Sequence, residues 1–532
     1  MNPLAVLLLF FAIAPALLML SGAVFFRTNT SDSSAQVWQR FRRLSAGALV
    51  SALLASTLMA WLTSSEAADG ALDATPWLTV SGLSLLLALL VQFLGTVIGV
   101  FSSRYLQGEP RQPLYASALS GVLASVHLLL LADHWLILIG AWAAVGLALG
   151  PLLCFYPERP FARLAAHKKR IADRLADALL LAAAALAWTE VGTGALSDLW
   201  AYLAEQGGSA ALQASAVCLA LAVILRTALF PLHGWLNQVM EAPTPVSALL
   251  HAGVVNLGGF VLIRFAPLIE AADAARWLLV TFGLLTALFA GMVMLTRVSI
   301  KVRLAWSTIA QMGFMVLECG LGLYTLAALH LIGHSLYKAH AFLSASSIVR
   351  TSRLHALRDH AATAPLSLIL APALSLGIVM FVHSVFAAVS WPWWWNGVLA
   401  LAWAPLLWLP APARGAVRES AARAIAGIAS LAGLTAVAAL AQLLPVGVSD
   451  APNSLAGYLT LSGMALLYLG LVMLQWRPRA LETWRRLSYA GFYVDEIYTR
   501  VALCLWPTRW TAPTKQVRLP GTEATEPLAD QK

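Results

Sequence analysis

Charge is scarce in this chain: only 11% of its 532 residues are Asp, Glu, Lys or Arg. Soluble domains carry about 25%. With 60% hydrophobic residues spread along most of the length, the composition excludes a water-soluble enzyme, a nucleic-acid binder and a disordered chain. Cysteine is scarce too. Cys154, Cys218, Cys319 and Cys504 stand singly with no C-x-x-C pair, so no disulfide framework and no zinc or iron–sulfur site is expected. A basic stretch ahead of the first apolar run is missing, and that run is too long for a cleaved signal peptide. What remains is a succession of long apolar runs. The chain reads as an all-α, polytopic membrane protein.

A helix crosses a hydrocarbon core roughly 30 Å thick with about 20 apolar residues. That window predicts crossings near 3–26, 45–62, 77–101, 114–132, 134–156, 172–190, 211–233 and 244–269. Others follow near 275–296, 303–322, 323–349, 365–389, 394–411, 421–445 and 455–476, which makes about fifteen. Sorting the 34 Lys and Arg residues by connecting segment places 30 after odd-numbered crossings or in the C-terminal tail. His167, Lys168, Lys169 and Arg170 form one such basic loop, and Arg297, Lys301 and Arg303 another. Positive charge marks the cytoplasmic side. The expected orientation therefore has the N-terminus outside and the C-terminus in the cytoplasm of a bacterial inner membrane. Residues 481–510 mix aromatics with charge and suit a segment lying along the cytoplasmic interface.

An ionic side chain inside a bilayer costs at least ~2.5–3.5 kcal/mol, so those that occur there usually line an ion path. His330, His334 and Lys338 recur every four residues and share one helix face. Histidine titrates near neutrality and a desolvated lysine gives up its proton more readily than one in water, so such a stripe can pass protons. No third zinc ligand is near in sequence, and no metal is expected. A second cluster runs from Arg226 through His233 to Glu241 and His251, across Pro231, Pro243 and Pro245. Three prolines interrupt helical hydrogen bonding, and broken helices at membrane depth are where ion transporters place their sites. Arg226 stays protonated and biases its neighbours, whereas Glu241 and His251 can exchange protons. Ser307, Thr308 and Gln311 offer either a water-bearing polar track or interhelical glue. Glu318, on the same span, reads as a relay group or as an outer-interface carboxylate.

The segments RTALFPLHGWLNQVMEAPTPVSALLHA, KVRLAWSTIAQMGFM and HLIGHSLYKAHAFLSA resemble the antiporter-like subunits shared by respiratory complex I and Mrp sodium/proton antiporters. The resemblance implies two inverted five-helix repeats with broken helices and a buried charge relay across the midplane. It suggests N-terminal helices over 1–113, repeats over 114–236 and 237–411, C-terminal helices over 412–476 and a cytoplasmic interfacial segment over 477–532. Arg226 stands where the family has a buried lysine; His251, His330, His334 and Lys338 fall on its central relay. Two departures stand out. Ala143 occupies the family's glutamate position after Trp142, so the usual carboxylate–lysine pair is not expected, and only His383 offers a charge in the 365–389 span.

Within that family the ending Gly491–Arg500 is similar to membrane subunits of DAB inorganic carbon pumps rather than to complex I subunit L, which carries a long lateral helix. That resemblance implies a cation-conducting subunit, with H+ or Na+ as the coupling ion. It also implies a DabA-like cytoplasmic zinc subunit as partner, with no cofactor and no catalysis in this chain. The alternatives are a proton-pumping subunit of a complex I-like NADH-quinone oxidoreductase and an Mrp-type cation/proton antiporter subunit.

Overall fold

Backbone amides in a hydrocarbon interior must be satisfied within their own segment, and long apolar runs meet that demand as helices. The computed structural model describes residues 3–28, 33–64, 77–345, 363–386, 391–411, 417–443, 447–477, 479 and 481–508. Among them the structure is helical, with three isolated backbone bridges and no strand. The tail beyond 508 and the expected ends of the spans at 349, 389 and 445 lie outside the described residues.

Pro3–Thr28 (α1), Ser34–Ser64 (α2), Gly82–Tyr105 (α3), Gln112–Leu131 (α4) and Trp135–Leu153 (α5) open the chain. Pro160–Val191 (α6), Leu196–Gln206 (α7) and Ala210–Arg226 (α8) follow, then the short pieces Gly234–Gln238 (α9), Thr244–Ala252 (α10), Leu257–Arg264 (α11) and Ala266–Glu270 (α12). Asp273–Leu295 (α13), Ile300–Leu321 (α14) and Tyr324–Leu343 (α15) carry the centre. Beyond them come Pro365–Val385 (α16), Trp393–Trp403 (α17), Val417–Gln442 (α18), Ser454–Trp476 (α19), Glu482–Tyr489 (α20) and Val494–Leu505 (α21).

Eleven helices among the described residues are long and apolar enough to cross a bilayer, with α10 to α11 counted as one. The expected count of fifteen is therefore not confirmed, although a helix lies at each expected position. Four fall short for different reasons. α6 carries too many charges, α15 has His330, His334, Lys338 and His340 in 20 residues, α8 has 17 residues and α17 only 11. One expectation is corrected outright. Residues 160–171 are the first three turns of α6, not a basic loop, and Lys168 and Lys169 are buried in it.

Two interruptions shape the centre. After Arg226 the chain leaves the helix, with Ala228 at φ 56°, and resumes at Gly234. The Phe230 amide freed there donates to Thr286 Oγ1 at 3.0 Å. The second lies at Gly253, where Asn256 Nδ2 donates to Ala252 O at 3.1 Å and to Ser335 Oγ at 2.7 Å. A side chain thus fills each gap in the backbone ladder, as buried non-helical backbone requires. α13 and α14 approach unusually closely: a Cβ on Gly313 would lie 2.8 Å from Gly283 O and from Ala287 N. Small residues at helix contacts let backbones pack where lipid provides no hydrophobic drive.

Candidate cation pathway

The four-residue spacing read from the sequence becomes a continuous polar line on α15. At one end His330 Nδ1 lies 2.8 Å from Glu318 Oε2 on α14, with Glu318 almost fully buried. The His330 and His334 rings are 6.0 Å apart, edge to face. His334 is buried, and neither ring nitrogen has a hydrogen-bond partner among the described residues. At the other end Lys338 is fully buried and donates to Ser307 Oγ at 2.8 Å and to Leu304 O at 3.1 Å. Among the described residues no carboxylate pairs with it, so its charge rests on neutral acceptors. His251, from α10, stacks on Phe342 at 4.6 Å between centroids and also has two unpartnered ring nitrogens. His334 feels both His251 and Lys338 electrostatically. Buried polar atoms are seldom left without partners, yet among the described residues His233, His251 and His334 each leave both ring nitrogens so.

The other expected residues divide. Ser307 joins Lys338, whereas Thr308 bonds only its own helix, to Leu304 O at 3.1 Å. Gln311 is on the exposed side of α14. Glu241 sits half-exposed beside Arg159, at 3.6 Å, apart from the buried line. His383 lies 3.1 Å from Asn396 Nδ2 and packs on Trp391. Between that group and the stripe stand Trp395 and Phe314, the latter against the His330 ring.

Arg226 is the largest surprise. Its guanidinium is buried, pairs with Asp177 of α6, donates to Trp142 O at 2.8 Å and lies over the Trp142 ring at 4.7 Å. A carboxylate partner exists after all, supplied from α6 rather than from the Ala143 position. Beside it Lys169 pairs with Asp173 and lies 4.9 Å from the Trp235 ring. Lys169, Asp173 and Asp177 follow the same four-residue spacing that revealed the stripe, and that signal was available in the sequence. His233, in the break after Arg226, packs 4.9 Å from Trp306, the neighbour of Ser307. It also lies within electrostatic reach of Lys168 and Asp495. His233 thus ties the charge cluster of α6 and α8 to α14, the helix that also carries Ser307 and Glu318. At the opposite end of the molecule Arg264 pairs with Asp133 at 2.8 Å. Burial in the α4–α5 connection raises the Asp133 carboxyl above its ordinary value, and Arg264 opposes that rise.

A family profile described as NADH:quinone oxidoreductase/Mrp antiporter, TM, matches residues 132–388, which hold every residue of both clusters from Asp133 to His383 except those of the C-terminal helix. The chain is 39% identical over 459 residues to the probable inorganic carbon transporter subunit DabB of Hydrogenovibrio crunogenus, covering 83% of this chain and 86% of that one. A probable inorganic carbon transporter subunit of Halothiobacillus neapolitanus is 49% identical over 270 residues, 51% of this chain and 49% of that one. Among solved structures, the Mrp complex from Dietzia sp. DQ12-45-1b shares the fold with a TM-score of 0.55 at 22% identity. That match covers 94% of this chain but 55% of the Mrp chain, so this chain spans little more than half of it.

Proposed function

The chain belongs to the DabB family of inorganic carbon transporter subunits, and we propose that it conducts cations down their gradient to drive inorganic carbon uptake. The single observation that carries this reading is the buried line Glu318–His330–His334–Lys338–Ser307, with His251 beside it. Its members are ionisable or hydroxylic, and His334 and His251 leave both ring nitrogens without partners among the described residues. Charge is retained inside a bilayer where it moves ions.

In this reading the ion is H+, with Na+ as the competing choice, and it passes between Glu318 at the outer end and Lys338 at the basic end. The termini lie outside and in the cytoplasm respectively, in the inner membrane. A DabA-like cytoplasmic zinc subunit binds the basic face and performs CO2 hydration, while this chain catalyses nothing itself. One proton descending 100 mV releases about 2.3 kcal/mol, so two or three supply about 5–7 kcal/mol. That is enough to make a hydration step run one way.

The test is Lys338→Ala in cells that depend on this complex for growth at ambient CO2. Growth should be lost while the complex still purifies intact. Unimpaired growth of that variant overturns the reading. Flux into vesicles loaded with a pH-sensitive or a sodium-sensitive dye decides the ion.

A further inference from the structure

Outside the stripe, the densest buried charge lies where α6, α8, α9 and α21 meet. Lys168, Lys169 and Arg226 face Asp173, Asp177 and Asp495 there, three buried cations against three carboxylates, with the exposed Arg174 also 3.5 Å from Asp177. Five of the six come from α6 and α8. The sixth, Asp495, arrives from the C-terminal helix, 327 residues beyond Lys168. Its Oδ1 accepts from Lys168 Nζ at 2.7 Å and its Oδ2 from Gln238 Nε2 at 3.0 Å. Lys168 is fully buried, so without Asp495 the group would hold one cation too many out of water. Breaking one side of a buried pair leaves a charge that the interior cannot solvate.

Apolar burial does little to hold this helix. Of its 12 residues only Ala502 is fully buried. Polar contacts dominate: Tyr498 donates its hydroxyl to Lys168 O at 3.3 Å, and His167 Nε2 lies 2.8 Å from Trp506 O. The broken helix has also been left without a side chain at the contact. A Cβ on Gly234 would overlap Asp495 Oδ1 and lie 3.2 Å from Lys168 Nζ.

We infer that Asp495 is a positioning residue that latches the C-terminal helix onto α6 and the broken helix, by serving as the counter-ion of Lys168 and accepting from Gln238. The Lys169–Asp173 and Asp177–Arg226 pairs continue from that latch along α6 to α8, and His233 lies within electrostatic reach of it while packing on Trp306 of α14. A change in charge balance within the network therefore loosens or tightens α21, and displacement of α21 unbalances the network. This rests on the cation-conducting reading for its purpose but not for its geometry.

The experiment uses the full-length chain in lipid nanodiscs, with Cys154→Ala, Cys218→Ala and Cys319→Ala leaving Cys504, which is exposed on α21, for a spin label. The parent spectrum should be that of a restrained helix. Asp495→Asn, and separately Gly234→Ala, should each shift the label to the mobile regime, and Asp495→Asn should lower cation flux at least 5-fold. The exchange Lys168→Asp with Asp495→Lys should return both the restrained spectrum and at least half of the flux. Should the single variants fail to fold, Lys168→Met with Asp495→Leu removes both charges, leaves none stranded, and should give a folded chain with a mobile label. A label that stays restrained in these variants, or an exchange that leaves it mobile, overturns the latch. Label mobility requires no carbon uptake, so failure of the transport reading would not be mistaken for failure of the latch.

Discussion

Glu318 and His330 lie on consecutive helices joined by Gly322 and Leu323, and the carboxylate of one meets the imidazole of the other at 2.8 Å. This contact closes one end of the line whose other end is Lys338 on Ser307. The pair thus fixes the His330 ring toward α14 and leaves the His334 ring next in sequence along the path.

Glu318→Gln preserves volume and a hydrogen-bonding group but removes the negative charge. Cation flux through the complex should fall about 10-fold or more, with the unfolding temperature nearly unchanged. Vesicle flux and a thermal shift on the same preparation check both halves.

Ser307→Ala removes one of two acceptors for the Lys338 ammonium. A hydrogen bond to a charged group contributes about 1.5–3 kcal/mol, so the variant should be measurably less stable. Flux should fall several-fold while Thr308→Ala, which loses only a bond within its own helix, leaves flux close to the parent value. Comparing the two variants side by side separates relay from helix maintenance.

Arg226 and Asp177 form a buried pair, and removal of one partner should destabilise by about 3–5 kcal/mol. The double change Arg226→Met with Asp177→Leu should cost much less than the sum of the single changes. A double-mutant cycle on denaturation midpoints reads the coupling directly. Additive effects would mean that the pair is not energetically coupled.

Asp450, in the connection before α19, accepts from the Thr325 amide at 2.8 Å, yet burial raises its carboxyl above the ordinary value of 3.8. A carboxyl raised on folding supports stability when protonated: its contribution is complete below the ordinary value and is lost as pH rises through the raised one. Asp450→Asn keeps an oxygen for Thr325 and removes the buried charge. The variant should therefore match or exceed the parent in unfolding temperature at pH 8, and the advantage should shrink toward pH 4.

The helical class and the stripe were legible because both are periodic. Apolar runs declare helices, and His330, His334 and Lys338 share a register that survives any error in where the helix starts. The Lys169–Asp173–Asp177 register was equally regular. It went unread because Lys168 and Lys169 stand among His167 and Arg170, and a basic run looks like a solvated loop. Only packing against Trp235 and the C-terminal helix shows that the two lysines are enclosed. Glu241 failed to reach the buried line for a local reason: the 3-10 turn Val239–Glu241 carries it beside Arg159 at the surface. Asp495 was beyond the reach of spacing rules, since its partner lies 327 residues earlier.

The glycine contact between α13 and α14 has a mechanical corollary. Two rods whose main chains touch at Gly283 and Gly313 have no compressible layer between them, so they cannot slide or tilt independently without collision. The unwound stretch 227–233 is tied to this rigid pair one turn from the contact, where Thr286 of α13 accepts the Phe230 amide, so the break and the two rods share one anchor.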